Sequence, residues 1–104
     1  IEAPPTKSVK LVLISHGDKS RFELLSLAIA LRKRGESAIV APAGRSVKSQ
    51  MRFANAVGAR FALILGEKEL EQEVLIVKPL DGSGEQRQVP LNSGSVQKAV
   101  GSSA

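Results

Sequence analysis

Cysteine is missing from this chain, and so are tryptophan and tyrosine. Without thiols there is no disulfide and no thiolate zinc site; a reducing compartment is compatible with the composition but not demanded by it. The aromatic residues are Phe22, Phe53 and Phe61, each at an apolar position. A general single-strand nucleic-acid binder stacks bases on exposed aromatics, and this sequence offers no such platform. His16 is the single histidine, too few for a metal cluster. No apolar run approaches the roughly 18 residues that span a bilayer. No basic segment leads into an apolar one at the start, so neither a membrane span nor a signal peptide is expected. Acids are missing locally too. Between Glu36 and Glu67 there is no Asp or Glu, while Arg45, Lys48, Arg52 and Arg60 fall inside that gap.

What is present suits one domain with a modest core: 104 residues, 42% of them hydrophobic. The formal net charge is +5, which favours an anionic partner and says nothing about fold. From Glu67 to Glu85 six acids face only Lys68 and Lys78, so the basic residues concentrate in the first two thirds. A molecule with a basic side and an acidic end is oriented by the field of a polyanion.

Ile1 to Ser8, with Pro4 and Pro5, reads as a linker from an upstream domain. Val9 to Ser15 is a nearly continuous apolar run, the mark of a strand buried on both faces. His16, Gly17 and Asp18 form a turn, and Ser20 to Arg34 reads as a helix. Phe22, Leu25 and Ile29 with Leu24, Ala28 and Leu31 give it a wide apolar stripe; Arg32 to Arg34 suit the dipole of its last turn, and Gly35 ends it. Ser37 to Pro42, Arg60 to Leu65 and Glu73 to Lys78 are further strands, with a second helix after Gly44 and an acidic helical turn after Gly66. Asp81 to Gly84 is a turn, and Glu85 to Val89 alternates like an edge strand. Pro79 and Pro90 suit strand ends. Asn92 to Ala104, rich in Ser and Gly, reads as a flexible tail with at most one helical turn around Val96 to Val100. The three strands linked by helices are expected to run parallel, and the last two, joined by a tight turn, antiparallel to each other. The expected fold is a mixed five-stranded α/β sheet with helices on its faces, over residues 9–91.

The stretch from Gly44 to Gly66 is the most informative. Ser46 can cap the second helix. Lys48, Arg52 and Asn55 then share one side, and Val47, Met51, Phe53, Ala54 and Val57 spread over the rest. The plain alternative is a solvated charged face on an amphipathic helix. Ser15, His16, Gly17 and Asp18 invite a catalytic reading, but a nucleophile triad needs a base held by a third group and an arginine-histidine-glycine phosphatase site needs a second histidine, which the chain does not have, so catalysis is not expected here; the turn could still offer backbone amides to a phosphate. Neither G-x-x-x-x-G-K-[ST] nor G-x-G-x-x-G occurs. Glu67, Glu69, Glu71 and Glu73 read as a solvated acidic turn rather than a metal site.

Gly44 to Asn55 (GRSVKSQMRFAN), then Gly58 to Leu70 (GARFALILGEKEL), then Val77 to Leu80 and Gly84 to Gln86, resemble the C-terminal anticodon-binding domain of bacterial histidyl-tRNA synthetases. The resemblance covers about Lys10 to Leu91. It implies a three-layer α/β/α domain whose mixed five-stranded sheet has the fourth strand running against the others. It implies a domain without chemistry of its own that binds the anticodon stem-loop of a histidine tRNA. The parent would be a cytoplasmic, homodimeric ligase whose upstream catalytic domain uses ATP and Mg. The chain departs from the family's usual pattern at Ser49, where a lysine is usual, at Pro79, where Asp is usual, at Gln72–Glu73, where Asn-Gly is usual, and after Leu91, where a Ser/Gly-rich tail stands in place of the usual helical C-terminus.

From these residues, Arg45, Lys48 and Arg52 are expected to hold loop phosphates or base edges. Ser46 and Gln50 are expected to offer hydrogen bonds to bases, with Lys78 and Arg60 in secondary roles. The departures motivate a second class of function, a synthetase-like regulatory or protein-interaction module that has lost tRNA. A third is a small-nucleotide binder at the turn from Ser15 to Lys19.

Overall fold

The computed structural model describes residues 10–42, 46–80 and 84–100. Five strands and four helices follow in the order β1 (Leu11–Ser15), α1 (Asp18–Lys33), β2 (Ala38–Val40), α2 (Val47–Ala56), β3 (Phe61–Leu65), α3 (Glu67–Glu71), β4 (Val74–Pro79), β5 (Arg87–Pro90) and α4 (Ser93–Ala99). They form one sheet in the order β2-β1-β3-β4-β5. β1 runs parallel to both β2 and β3, with Leu11 opposite Ala38 on one side and Phe61 on the other. β4 runs antiparallel to β3 and to β5. The reversed fourth strand and the three layers are as the resemblance implies. The expected linker over 1–8 and the turn residues Asp81, Gly82 and Ser83 lie outside the described residues.

The continuous apolar run of β1 has its reason in this layering. Odd residues Leu11 and Leu13 join Leu63, Leu65, Leu75 and Val77 under α1 and α4. Even residues Val12 and Ile14 join Ala62 under Ala54 of α2. Helices on both sides leave the strand no polar face, so alternation disappears. α1 starts after Gly17 and ends before Gly35, whose φ values of +103 and +91 only glycine adopts cheaply. Ser20, Leu24, Leu27, Ala28 and Leu31 line its inner side.

The wide stripe read on α1 does not all turn inward. Phe22, Leu25 and Ile29 are 70%, 42% and 53% exposed. At 100° per residue, six apolar positions over two to three turns exceed the arc that one sheet covers. Leu24, Leu27 and Leu31 take the sheet side, and Phe22, Leu25 and Ile29 point away from it.

The tail is a second departure. α4 occupies Ser93–Ala99, capped by Asn92, whose Oδ1 accepts from the Ser95 amide at 2.7 Å. Val96 is fully buried and Val100 nearly so, both in the α1 side of the core. Arg34 clamps the helix, donating from Nε to Ser93 Oγ at 2.9 Å and from Nη1 to Gln97 Oε1 at 3.1 Å. Gln97 in turn donates to the carboxylate of Glu36, which is buried and paired with Lys10 at 3.2 Å. Serine and glycine lower helix propensity, but propensity is a weak prior beside two buried valines and a cap.

Gln72–Glu73, the pair that replaces Asn-Gly, leaves a mark on the backbone. Glu73 sits at φ +57, the only non-glycine at positive φ among the described residues. The left-handed region costs a side chain about 1–2 kcal/mol, part of which glycine's greater unfolded freedom would cancel. Glu73→Gly is therefore expected to stabilise the domain by about 0.5–1 kcal/mol, a rise of about 2–8 °C in Tm. Glu73→Ala keeps the strain and should leave Tm nearly unchanged. A lower Tm for the glycine variant would contradict this.

Candidate nucleic-acid interface

Ser46 caps α2 as read from the sequence: its Oγ accepts from the Ser49 amide at 3.1 Å. The hydroxyl proton is still available to a ligand, so the cap and a hydrogen bond to a base are compatible. Ala54 and Gln50 are buried on the inner side of α2, flanked by Val47, Met51, Phe53 and Val57, which pack on the same cluster. Lys48, Arg52, Asn55 and Ala56 are exposed on the outer side. Lys48 and Arg52 stand one turn apart, on the same outward face.

Gln50 is corrected by the structure. Its side chain is 2% exposed and cannot reach a base. Leu11 donates to the Ser37 carbonyl and Ala41 to the Leu13 carbonyl, so odd residues of β1 address β2. β2 ends at Val40, and the backbone of Ser15 projects past it. Gln50 takes the place of the missing strand. Its Oε1 accepts from the Ser15 amide at 3.1 Å, and its Nε2 donates to the Ser15 carbonyl at 2.8 Å. The carbonyl of Ala41 is held by Arg21 Nη1 of α1 at 3.0 Å. Arg21 thus fixes the end of β2 from which the chain turns toward α2. Nothing in the sequence marked it, because the pairing joins residues far apart in the chain.

Arg60 and Lys78 lie elsewhere. Arg60 precedes β3 and is exposed, and its carbonyl accepts from the Leu80 amide at 2.8 Å. Lys78 stands opposite Ala62 in the sheet and is half-buried. By strand alternation both are on the face that α2 covers, at the end where α2 finishes. They are thus removed from Lys48, at the first turn of α2, and Arg45 lies outside the described residues. The site brings Lys48, Arg52 and Ser46 together, with Arg60 and Lys78 farther along the same side of the molecule.

The described acids of α3 are turned away from this surface. α3 packs through Leu70 on the α1 side of the sheet. Among the described residues, no carboxylate pairs with Lys48, Arg52, Arg60 or Lys78. Glu69 is turned inward onto its own helix, accepting from the Gly66 amide at 3.1 Å. Glu67 bears on the small-nucleotide reading. Its Oε2 comes within 2.8 Å of where a Cβ on Gly17 would stand, which puts a negative charge beside the turn that was to welcome a phosphate. No helix among the described residues is long and apolar enough to cross a membrane.

The described geometry matches that of known proteins. Over 91 residues the chain is 38% identical to a histidine–tRNA ligase of Clostridium botulinum, and over 100 residues 34% identical to one of Clostridium perfringens; these stretches are 88% and 96% of this chain but only 22% and 24% of the relatives. The apo histidyl-tRNA synthetase of S. aureus superposes with a TM-score of 0.76 at 30% identity, over 88% of this chain and 26% of that one. In fold alone, the RNA binding domain of the Cryptosporidium parvum threonyl-tRNA synthetase superposes with a TM-score of 0.79 at 16% identity, over 90% of this chain and 23% of that one. The chain spans about a quarter of the length of the curated relatives it matches. A family model described as an anticodon binding domain matches residues 9–95, and the chain belongs to that family, with histidine–tRNA ligases among its relatives.

Proposed function

We propose that this domain binds the anticodon stem-loop of a histidine tRNA through the outer face of α2, as part of a longer histidine–tRNA ligase. The observation that carries this is the pair Lys48 and Arg52, exposed together on an acid-free helix and unopposed by any described carboxylate. Cations so placed hold phosphates and fix the register of an RNA, while unstacked bases are read by polar groups. Ser46 is the polar group best placed for that, with Asn55 a turn beyond Arg52. Arg60 and Lys78 extend the positive surface along the stem. Chemistry is left to the remainder of the ligase, where ATP and Mg would activate the amino acid.

A synthetase-like module that had lost tRNA would have its α2 cations covered, paired or replaced. Ser49 is one replacement, but it leaves Lys48 and Arg52 in place and its amide completes the cap. The test is titration of the chain with a histidine-tRNA anticodon stem-loop at two salt concentrations. Binding that weakens as salt rises is expected, since phosphate neutralisation releases counterions. Absence of binding at the lower salt would overturn the proposal.

A further inference from the structure

Just past the end of β2 the sheet is opened, and the two halves of one hydrogen bond are held apart. In the parallel ladder of β1 and β2 the Leu11 amide donates to the Ser37 carbonyl, and successive bonds advance equally along both strands. Continued in that register, the Ser15 amide would meet the carbonyl of Ala41. It does not. The amide is taken by Gln50 Oε1 of α2 at 3.1 Å, and the carbonyl by Arg21 Nη1 of α1 at 3.0 Å. Both backbone groups stay satisfied while the chain after Ala41 leaves the sheet.

The two replacements differ in what they hold. Gln50 is buried in the middle of α2, a helix that Val47, Met51, Phe53 and Ala54 already pack onto the sheet. Losing it costs hydrogen bonds but leaves the helix where packing puts it. Arg21 holds the approach to that helix. Ala41 is fully buried and Ser46 is exposed, so the chain passes from core to surface between them. A guanidinium makes a stronger, better-directed bond to a carbonyl than a neutral amide does. Among the described residues no carboxylate pairs with Arg21, so no acid competes for it. We propose that Arg21 is a positioning residue of the RNA interface: by holding the Ala41 carbonyl it sets where Ser46 stands, and so where the Ser46 hydroxyl meets a base. This rests on the reading of α2 as the RNA-binding helix. Arg21 acts through Ser46 and does not itself touch RNA.

A mutant cycle tests this. Arg21→Met keeps the aliphatic stem of a half-buried side chain and removes its donors; Arg21→Lys keeps a charged donor. Titrated with a histidine-tRNA anticodon stem-loop, the Met variant of the chain is expected to bind about fivefold more weakly than wild type, the scale on which residues outside a ligand's contacts act. The Lys variant should recover most of that loss. Ser46→Gly removes the hydroxyl and costs the helix little. On that background Arg21→Met should weaken binding almost no further, because both act through one contact. A further loss of about fivefold there would make Arg21 a direct RNA contact and overturn the proposal. So would unchanged affinity with a lowered Tm, the mark of a merely structural bond. Backbone amide signals of the free chain read the hold without RNA: Arg21→Met should shift those of Ser46 and Val47 more than those of Asn55 and Ala56. Unmoved signals at Ser46 and Val47 would overturn the proposal even where RNA binds. A wild-type chain that binds no stem-loop sinks the RNA reading instead, and the shifts then still decide whether Arg21 holds Ser46.

Discussion

Gln50→Ala is expected to lower the stability of the domain by about 2–4 kcal/mol, because it strips partners from both the amide and the carbonyl of Ser15. Each group left unsatisfied in a buried place costs about 1–3 kcal/mol, and the missing side chain leaves a void besides. Against a typical total of about 5–15 kcal/mol this is a large fraction. The urea midpoint of the variant should fall accordingly. Gln50→Glu separates pairing from packing: a carboxylate keeps the size but presents an acceptor to the Ser15 carbonyl, so it should destabilise too. Under conditions where Gln50→Ala remains folded, its stem-loop affinity and salt dependence should match wild type. Undiminished stability with lost RNA affinity would return Gln50 to the base-reading role that the sequence suggested.

Removing residues 92–104 is expected to cost about 3–5 kcal/mol. Val96 and Val100 each leave the core, and fully burying a valine is worth about 1.5–3 kcal/mol. The clamp from Arg34 and the bond from Gln97 to buried Glu36 are lost with them. At about 4–8 °C per kcal/mol for a domain of this size, Tm should drop by about 12 °C or more. Val96→Asp should do comparable harm through one buried, unpaired carboxylate. A change of only a degree or two in either protein would make α4 the loose tail that its composition suggests.

The sheet and its layers were legible because they rest on local signals that agree. The apolar run of β1, the glycines at 17 and 35, and the Ser46 cap each fix an element without help from afar. What was not legible depends on distance. The spacing of Phe22, Leu25 and Ile29 marks an apolar side of α1 but not which side meets this sheet. Ser and Gly argue against helix over α4, whereas Val96 is held by a core assembled from other strands. Gln50 looked like a base reader because it lies between two cations in sequence, and 100° per residue turns it to the opposite side of the helix. Of the candidate site, Lys48 and Arg52 were legible from a gap in the acids, and Ser46 from its capping position. That Arg60 and Lys78 stand at the other end of α2 follows from strand register, which spacing alone does not reveal.

The positive outer face of α2 is best tested by the double variant Lys48→Ala/Arg52→Ala. Both side chains are exposed, so the fold should survive their loss. Titrated with a histidine-tRNA anticodon stem-loop across salt concentrations, wild type should show a steep fall of log Kd-derived affinity with log salt. The double variant should bind more weakly at low salt, with the slope reduced by about 2, one for each phosphate contact removed. The same affinity and the same slope in both proteins would show that RNA, if bound, is held somewhere other than on this helix.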